Sequence, residues 1–313
     1  MKVAYLIMTH RLPRQVARLA GVLRRGSPTA AIVVHHNRRS PPLDRASLDA
    51  LDVELVEPSL AVNWGGMSYL EAQLLSLEWL SERHIFDWVA LISGQDYPVA
   101  PVAAIEHGLA GTDADAFIEA TACPAPTGRP INEFALRYHF HWRRLPGRLS
   151  ARAIRVAATR GVRLQVRSMP RSGAWLGVPA RRTPFAADFL CYRGSDWFSL
   201  SRAAVETLLQ PSLRRRALLR HYRRTLLPSE SYVQTVLAND DRLTLCGDTR
   251  RYSRWDAPNA TGPAVLRNGD LDAVLRSGAD FARKFDERLD SCVLDQIDRL
   301  VHGWEPGAPT PAK

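Results

Sequence analysis

Lysine is nearly missing from this chain: of its 42 cationic residues only Lys2, Lys284 and Lys313 are lysines, and the rest are arginines. Long apolar runs are missing too. No stretch approaches the roughly 18 consecutive apolar residues of a membrane-spanning helix. The chain enters a strand-like VAYLIMT without a basic leader and cleavage site, so a cytoplasmic protein is expected, with the inner face of the membrane left open. The four cysteines (Cys123, Cys191, Cys246, Cys292) form no C-x-x-C pair and have no histidine at ligand spacing, which points away from a disulfide framework and from a zinc site. Aromatics are thin in the two arginine-dense stretches, Arg143 to Arg182 and Arg214 to Arg224. The interleaved stacking pattern of a nucleic-acid platform is therefore absent, and no nucleic-acid partner is expected.

What remains is a chain of 313 residues, 46 % hydrophobic and 24 % charged, long enough for a proper core. A net charge of +10 asks for an anionic partner without choosing one: a nucleotide, an acidic glycan acceptor or a membrane surface. The pattern along the chain is more specific. Residues 2 to 9, the helical spacing from Arg14 to Ala20 and AAIVVHH at 30 to 36 read as β-α-β. The theme repeats with a helix over Met67 to Arg83 and strands at Trp88 to Ile92 and Ala116 to Ala120. This alternation predicts an α/β fold with a mainly parallel central sheet and helices on both faces, and a ligand beyond the carboxyl ends of its strands. Residues 123 to 183 read as an irregular Arg-rich insertion, and 305 to 313 as a disordered tail. After the insertion come a helix from Arg202, one starting at Ser229 with that serine as its cap, and last helices over Leu271 to Ser277 and Leu289 to His302.

Several segments join strand or helix ends to glycine, acid and aromatic residues. Trp64-Gly65-Gly66 precedes a helix, where paired glycines admit a ligand to the backbone or simply turn the chain. Ser93-Gly94-Gln95-Asp96-Tyr97-Pro98 follows the strand WVALI, and Asp96 is read either as an acceptor of sugar hydroxyl hydrogen bonds or as an Asx-turn. Gly194-Ser195-Asp196-Trp197 sets a carboxylate beside a flat apolar platform, a pairing that suits a sugar and equally suits a core tryptophan with an acidic cap. Glu230 falls at the start of a helix whose apolar side is Val233, Val236 and Leu237, as a dipole-matching acid or a general base. Finally, Arg283-Lys284 lies between Phe281 and Phe285. Lysine is a compact point charge suited to phosphate oxygens, and arginine a planar fork, so the pair is read as a diphosphate clamp or as an exposed helix start.

Taken together and in this order, WGG, SGQDYP, GSDWFSLSR, ESYVQTVL and FARKFD resemble the core-2/I-branching β-1,6-N-acetylglucosaminyltransferase and peptide O-xylosyltransferase family, over roughly residues 2 to 300. The resemblance implies a GT-A type nucleotide-sugar fold. It implies transfer of a sugar, GlcNAc or xylose, from a UDP-sugar to a hydroxyl of a glycan or other acceptor, with inversion and without a metal or other cofactor. It also implies residue roles: Glu230 as the base, Arg283 and Lys284 on the diphosphate, and Asp196, Trp197 and Thr9 on the donor side. Asp96 and Trp64, Gly65 and Gly66 would position sugar or acceptor.

Three departures from that pattern matter. Where the family often carries a His-Pro-Arg/Lys, this chain has Gly262-Pro263-Ala264, so a second phosphate cation is sought in Arg251, Arg254 or Arg267. The acidic residue often found after the second strand is replaced by His35-His36-Asn37, which leaves recognition of base or ribose to His36 or Asn37. The insertion resembles nothing assignable. A formal D-x-D, Asp113-Ala114-Asp115, precedes a strand rather than following one and is read as an exposed turn, not a metal site. The expectation is one GT-A-like domain over 1 to 304. The alternative is a catalytically silent nucleotide-sugar or glycan-binding protein, favoured by the Ala264 departure.

Overall fold

The computed structural model describes residues 1–63, 65–125, 133–145, 164–169, 173–257 and 262–304. In chain order its first half holds β1 (Val3–Thr9), α1 (Pro13–Gly26), β2 (Ala31–His36), α2 (Arg45–Asp49), β3 (Val53–Leu55), α3 (Met67–Arg83), β4 (Trp88–Ser93), β5 (Asp96–Pro98), α4 (Val102–Ala110), β6 (Ala116–Ile118) and β7 (Thr121–Ala122). The second half holds α5 (Glu133–His139), β8 (Phe140–Arg144), β9 (Gln165–Met169), β10 (Gly173–Pro179), β11 (Tyr192–Arg193), β12 (Phe198–Ser201), α6 (Arg202–Leu209), α7 (Leu213–Tyr222), α8 (Tyr232–Ala238), β13 (Leu245–Cys246), β14 (Arg251–Ser253), β15 (Phe281–Arg283), α9 (Leu271–Arg276) and α10 (Cys292–His302), with α9 preceding β15.

β1 is apolar on both faces and is buried along its whole length. Its alternation divides the core in two. Val3, Tyr5 and Ile7 pack with Val16, Leu19 and Leu23 of α1. Ala4, Leu6 and Met8 pack with Leu70, Leu74 and Leu77 of α3. A strand buried on both faces with helices above and below is the arrangement expected of a mainly parallel α/β sheet. The strand order is β13-β6-β12-β4-β1-β2-β3. β1, β2, β3 and β4 run parallel, as do β6 and β13, and β12 alone is antiparallel to its neighbours β4 and β6.

That reversal has a chemical result. Phe198, the first residue of β12, sits opposite Leu91 of β4 and Ile118 of β6, near the carboxyl ends of both strands. Asp196 and Trp197, just before it, are thereby delivered to the ligand edge of the sheet. A second, three-stranded sheet, β14-β15-β5, stands beside this edge, with Arg283 opposite Asp96.

The insertion is more regular than its composition predicts. Among its described residues α5 leads into β8, which pairs with β10 and then β9 as an antiparallel sheet over Leu136, Phe140, Trp142 and Leu226. Short strands with arginine in them carry little periodicity, which is why they read as irregular. The helix expected from Ser229 is likewise corrected: Pro228–Glu230 is a 3-10 turn, and α8 follows it with no side-chain cap from Ser231. No helix among the described residues is long and apolar enough to cross a membrane. The tail expected to be disordered lies outside the described residues.

Candidate active site

Four chain segments meet at the carboxyl edge of the sheet. Asp96, fully buried, accepts the backbone N–H of Ser93 at 2.7 Å, the Ser93 hydroxyl at 2.9 Å and the Arg283 Nε–H at 3.0 Å. Read as a sugar acceptor or as a turn-forming acid, it is occupied by these partners and fixes Arg283. The Arg283 guanidinium also lies 4.2 Å from the centroid of the Trp197 ring, so that one face of the expected sugar platform carries a cation. A buried carboxylate on one side and an indole on the other hold the guanidinium in one orientation. Lys284 follows on the same strand end, half-buried, and its carbonyl accepts the Leu266 N–H at 2.8 Å. Close packing explains Gly94 in this loop: a Cβ there would lie 2.7 Å from Thr9 Oγ1.

Two acids extend the cluster, Asp196 beside Arg283 and Glu230 beside Asp196. Asp196 is bonded by Ser229, while its Oδ1 is buried without a hydrogen-bond partner among the described residues. Burial raises its carboxyl above the ordinary range, against the pull of Ser229 and Arg283. Ser195 Oγ and Gln234 Oε1 are orphaned in the same way, and buried polar atoms without partners mark places where a polar ligand would complete the set. Glu230 is pushed up to about 8, first by burial and then by the Asp196 charge, with Arg137 opposing. Its position is held by backbone on both sides: its carbonyl accepts the Gly194 N–H at 2.9 Å and its N–H bonds Leu227 O at 3.1 Å. A Cβ on Gly194 would fall 1.9 Å from the Glu119 carbonyl, so only glycine fits this junction.

The sequence did not reveal Arg137. It comes from α5 in the insertion, and its Nη1 donates to Glu230 Oε2 at 3.0 Å. Arg193 was also missed; it acts on Glu230 and stacks on Phe134 at 3.8 Å. The helix EFALRYH is one turn short of showing a clear period, and an arginine among 39 carries no signal by itself.

Several residues expected on the donor side are bonded within the scaffold. The Asn37 amide bonds Val62 through both its atoms, Nδ2 to the carbonyl at 3.1 Å and Oδ1 from the N–H at 3.0 Å, so it braces a loop. Arg251 is half-buried with its guanidinium over the Phe281 ring, bonded to the Thr249 carbonyl at 2.7 Å, and desolvation lowers it to about 10. Arg254 is paired with Asp256 and Asp270. All three have partners within the protein, while Arg251 keeps a buried Nε without one among the described residues. Arg267 is exposed and follows Leu266, the backbone partner of Lys284. Thr9 ends β1 with its hydroxyl on the Arg11 carbonyl at 3.2 Å. His36 ends β2 with Nε2 2.7 Å from the Pro41 carbonyl and Nδ1 buried without a partner among the described residues. Gly66 precedes α3, and the Gly65 carbonyl accepts the Leu227 N–H at 3.0 Å, so Gly65 braces the turn bearing Glu230. Trp64 lies outside the described residues.

The D-x-D sits before β6, at the opposite end of the sheet. Asp115 accepts the Ser201 hydroxyl at 3.1 Å and the Thr244 N–H at 3.0 Å. Among the described residues no group of three or more His, Cys, Asp or Glu is arranged to hold a metal ion.

Beta-glucuronosyltransferase GlcAT14A of Arabidopsis thaliana is 26 % identical over 300 residues, 91 % of this chain and 61 % of that protein. Xylosyltransferase oxt of Drosophila melanogaster is 24 % identical over 330 residues, 96 % of this chain and 34 % of its own. The chain thus spans about three fifths of the plant relative and about a third of the fly one. Among solved structures, HddC from Yersinia pseudotuberculosis complexed with GMP-PN matches with a TM-score of 0.27 and 10 % identity, over 66 % of this chain and 78 % of that one. The model of the Core-2/I-Branching enzyme family matches residues 3–137 and 159–275, most of the sheet and both acids of the site, and the chain belongs to that family.

Proposed function

We propose that this chain is a glycosyltransferase that moves a sugar from a UDP-sugar to an acceptor hydroxyl, with inversion and without a metal. The observation that carries the reading is Glu230: a half-buried carboxylate at the sheet edge, raised to about 8 and linked through Asp196 to the fixed Arg283 cation. A general base works best with its pKa near the operating pH. The acceptor hydroxyl gives its proton to Glu230 as its oxygen bonds to the anomeric carbon. The bond from that carbon to the β-phosphate oxygen breaks, and its electron pair leaves with UDP. Negative charge grows on the diphosphate, where Arg283 and Lys284 meet it without reorganising. Asp196, with its unpartnered Oδ1, is suited to a donor sugar hydroxyl. Two built-in cations supply what a divalent ion otherwise would, which supports the metal-free reading. The relatives' names support glucuronic acid and xylose as donor sugars beside GlcNAc.

The test is calorimetric titration with UDP, UDP-GlcNAc, UDP-xylose and UDP-glucuronate, each with EDTA and with Mn²⁺, while sugar hydrolysis is followed. Micromolar binding that ignores the metal, with slow hydrolysis of one sugar, is the expected result. Absence of UDP binding in both conditions overturns the donor site, and binding only with Mn²⁺ overturns the metal-free mechanism.

A further inference from the structure

Beyond Glu230, on the side of α5 and β11, two arginines and one further acid, Glu119, act on Glu230. Phe134, half-buried, carries two guanidiniums: Arg193 at 3.8 Å and Arg137 at 4.9 Å from its ring centroid. Arg137 is matched by Glu230 at 3.0 Å. Arg193 has no carboxylate within ion-pair distance among the described residues; the nearby acid of α5, Glu133, pairs with Arg167 at 3.7 Å. Nor is Arg193 free to wander. Its strand β11 pairs with β7, Arg193 opposite Thr121, and the next residue, Gly194, is bonded to the Glu230 carbonyl. A half-buried guanidinium pinned on an aromatic face beside a reaction centre is a preformed fork for a planar anion.

The location assigns the anion to one substrate. Arg193 shares the Phe134 ring with Arg137, which is bonded to Glu230 Oε2, and it precedes Gly194, whose N–H bonds the Glu230 carbonyl, so the fork lies beside the base. Arg137 and Arg193 act on Glu230. In a displacement with inversion the acceptor approaches on the base's side, opposite the leaving diphosphate. We infer that Arg193, seated on Phe134 beside Arg137, forms a carboxylate-binding subsite for an acidic acceptor, a glycan carrying a uronate sugar next to the reacting hydroxyl. This rests on the donor and base assignment above for its orientation, but the anion site itself does not. The chain's net charge of +10 works in the same direction by drawing an acidic glycan to the surface.

The probes are p-nitrophenyl β-glucuronide, the matching β-glucoside and glucose 6-phosphate, titrated at constant ionic strength into the full chain and into Arg193→Gln and Arg193→Lys. The glucuronide is expected to bind about tenfold more tightly than the glucoside. Arg193→Gln should erase that preference while leaving UDP affinity unchanged, and Arg193→Lys should keep part of it. Thermal melts of both variants report whether the fold is intact. Equal binding of glucuronide and glucoside by the unmodified chain overturns the subsite, as does a preference that survives Arg193→Gln. Arg193-dependent binding of the sugar phosphate as tight as the glucuronide overturns the carboxylate assignment. If UDP-glucuronate outbinds UDP-glucose and loses that advantage in Arg193→Gln, the site belongs to the donor and the acceptor assignment falls. Loss of all UDP binding with the glucuronide preference intact sinks the donor-site reading and leaves the subsite standing.

Discussion

Glu230 lies where three influences compete: burial and the neighbouring Asp196 raise its carboxyl, and Arg137 opposes them. Replacing it by glutamine keeps the shape and removes the proton acceptor. Glu230→Gln should therefore retain UDP binding by calorimetry while transfer falls by about 10² to 10⁴-fold. For the unmodified chain, kcat/KM should rise with pH through about 8, as the base loses its proton. The same group sets a stability trend of definite sign. Its folded pKa of about 8 exceeds the ordinary 4.5, so the folded state holds the extra proton between those values, and stability falls as pH rises across that window. Chemical denaturation at pH 5 and pH 8 should show this fall in the unmodified chain and a smaller one in Glu230→Gln. At this scale the sequence was legible in residue types and blind to their occupancy. Asp96 and Asn37 stood out correctly as polar residues at strand ends. What consumes them, Arg283 and the Val62 backbone, comes from elsewhere in the chain.

Between elements, the end of β11 and the turn ending at Glu230 are stitched together at Gly194. Gly194→Ala would thrust a methyl group to within 1.9 Å of the Glu119 carbonyl, and backbone cannot yield there as a flexible side chain would. Expected are a lower melting temperature, by several degrees, and a loss of turnover larger than the loss of UDP affinity, because Glu230 is displaced more than Arg283. Measuring Tm, UDP affinity and rate on the same variant checks this, and an unchanged rate would remove the junction from the argument. The long elements were readable because their periods are strong: β1 and β4 as apolar runs, α3 over Met67–Arg83 with leucines at helical spacing. β8 and β10 were not, because Arg143, Arg144 and Gly177 interrupt any alternation and their pairing is with each other, not with the main sheet. Arg137 was hidden for the same reason: its short helix has meaning only where the fold lays it over Glu230.

The molecule as a whole is closed by β5 and β15, whose pairing sets the buried Asp96 against Arg283. Breaking such a pair strands a charge. Asp96→Ala should cost about 3–5 kcal/mol in a denaturant titration and weaken UDP binding as Arg283 loses its anchor, whereas Asp96→Ala combined with Arg283→Met should recover part of the stability and none of the binding. Recovery of UDP affinity in the double variant would show that Arg283 does not touch the diphosphate.

These two residues are separated by 187 positions. At about 5–20 residues per second, a ribosome needs on the order of 10–40 s to travel from one to the other. For that interval the emerging chain holds a carboxylate with no cation and a β5 edge with no partner strand. The Asp96–Arg283 pair, and with it the proposed diphosphate site, therefore cannot form until Arg283 has been made.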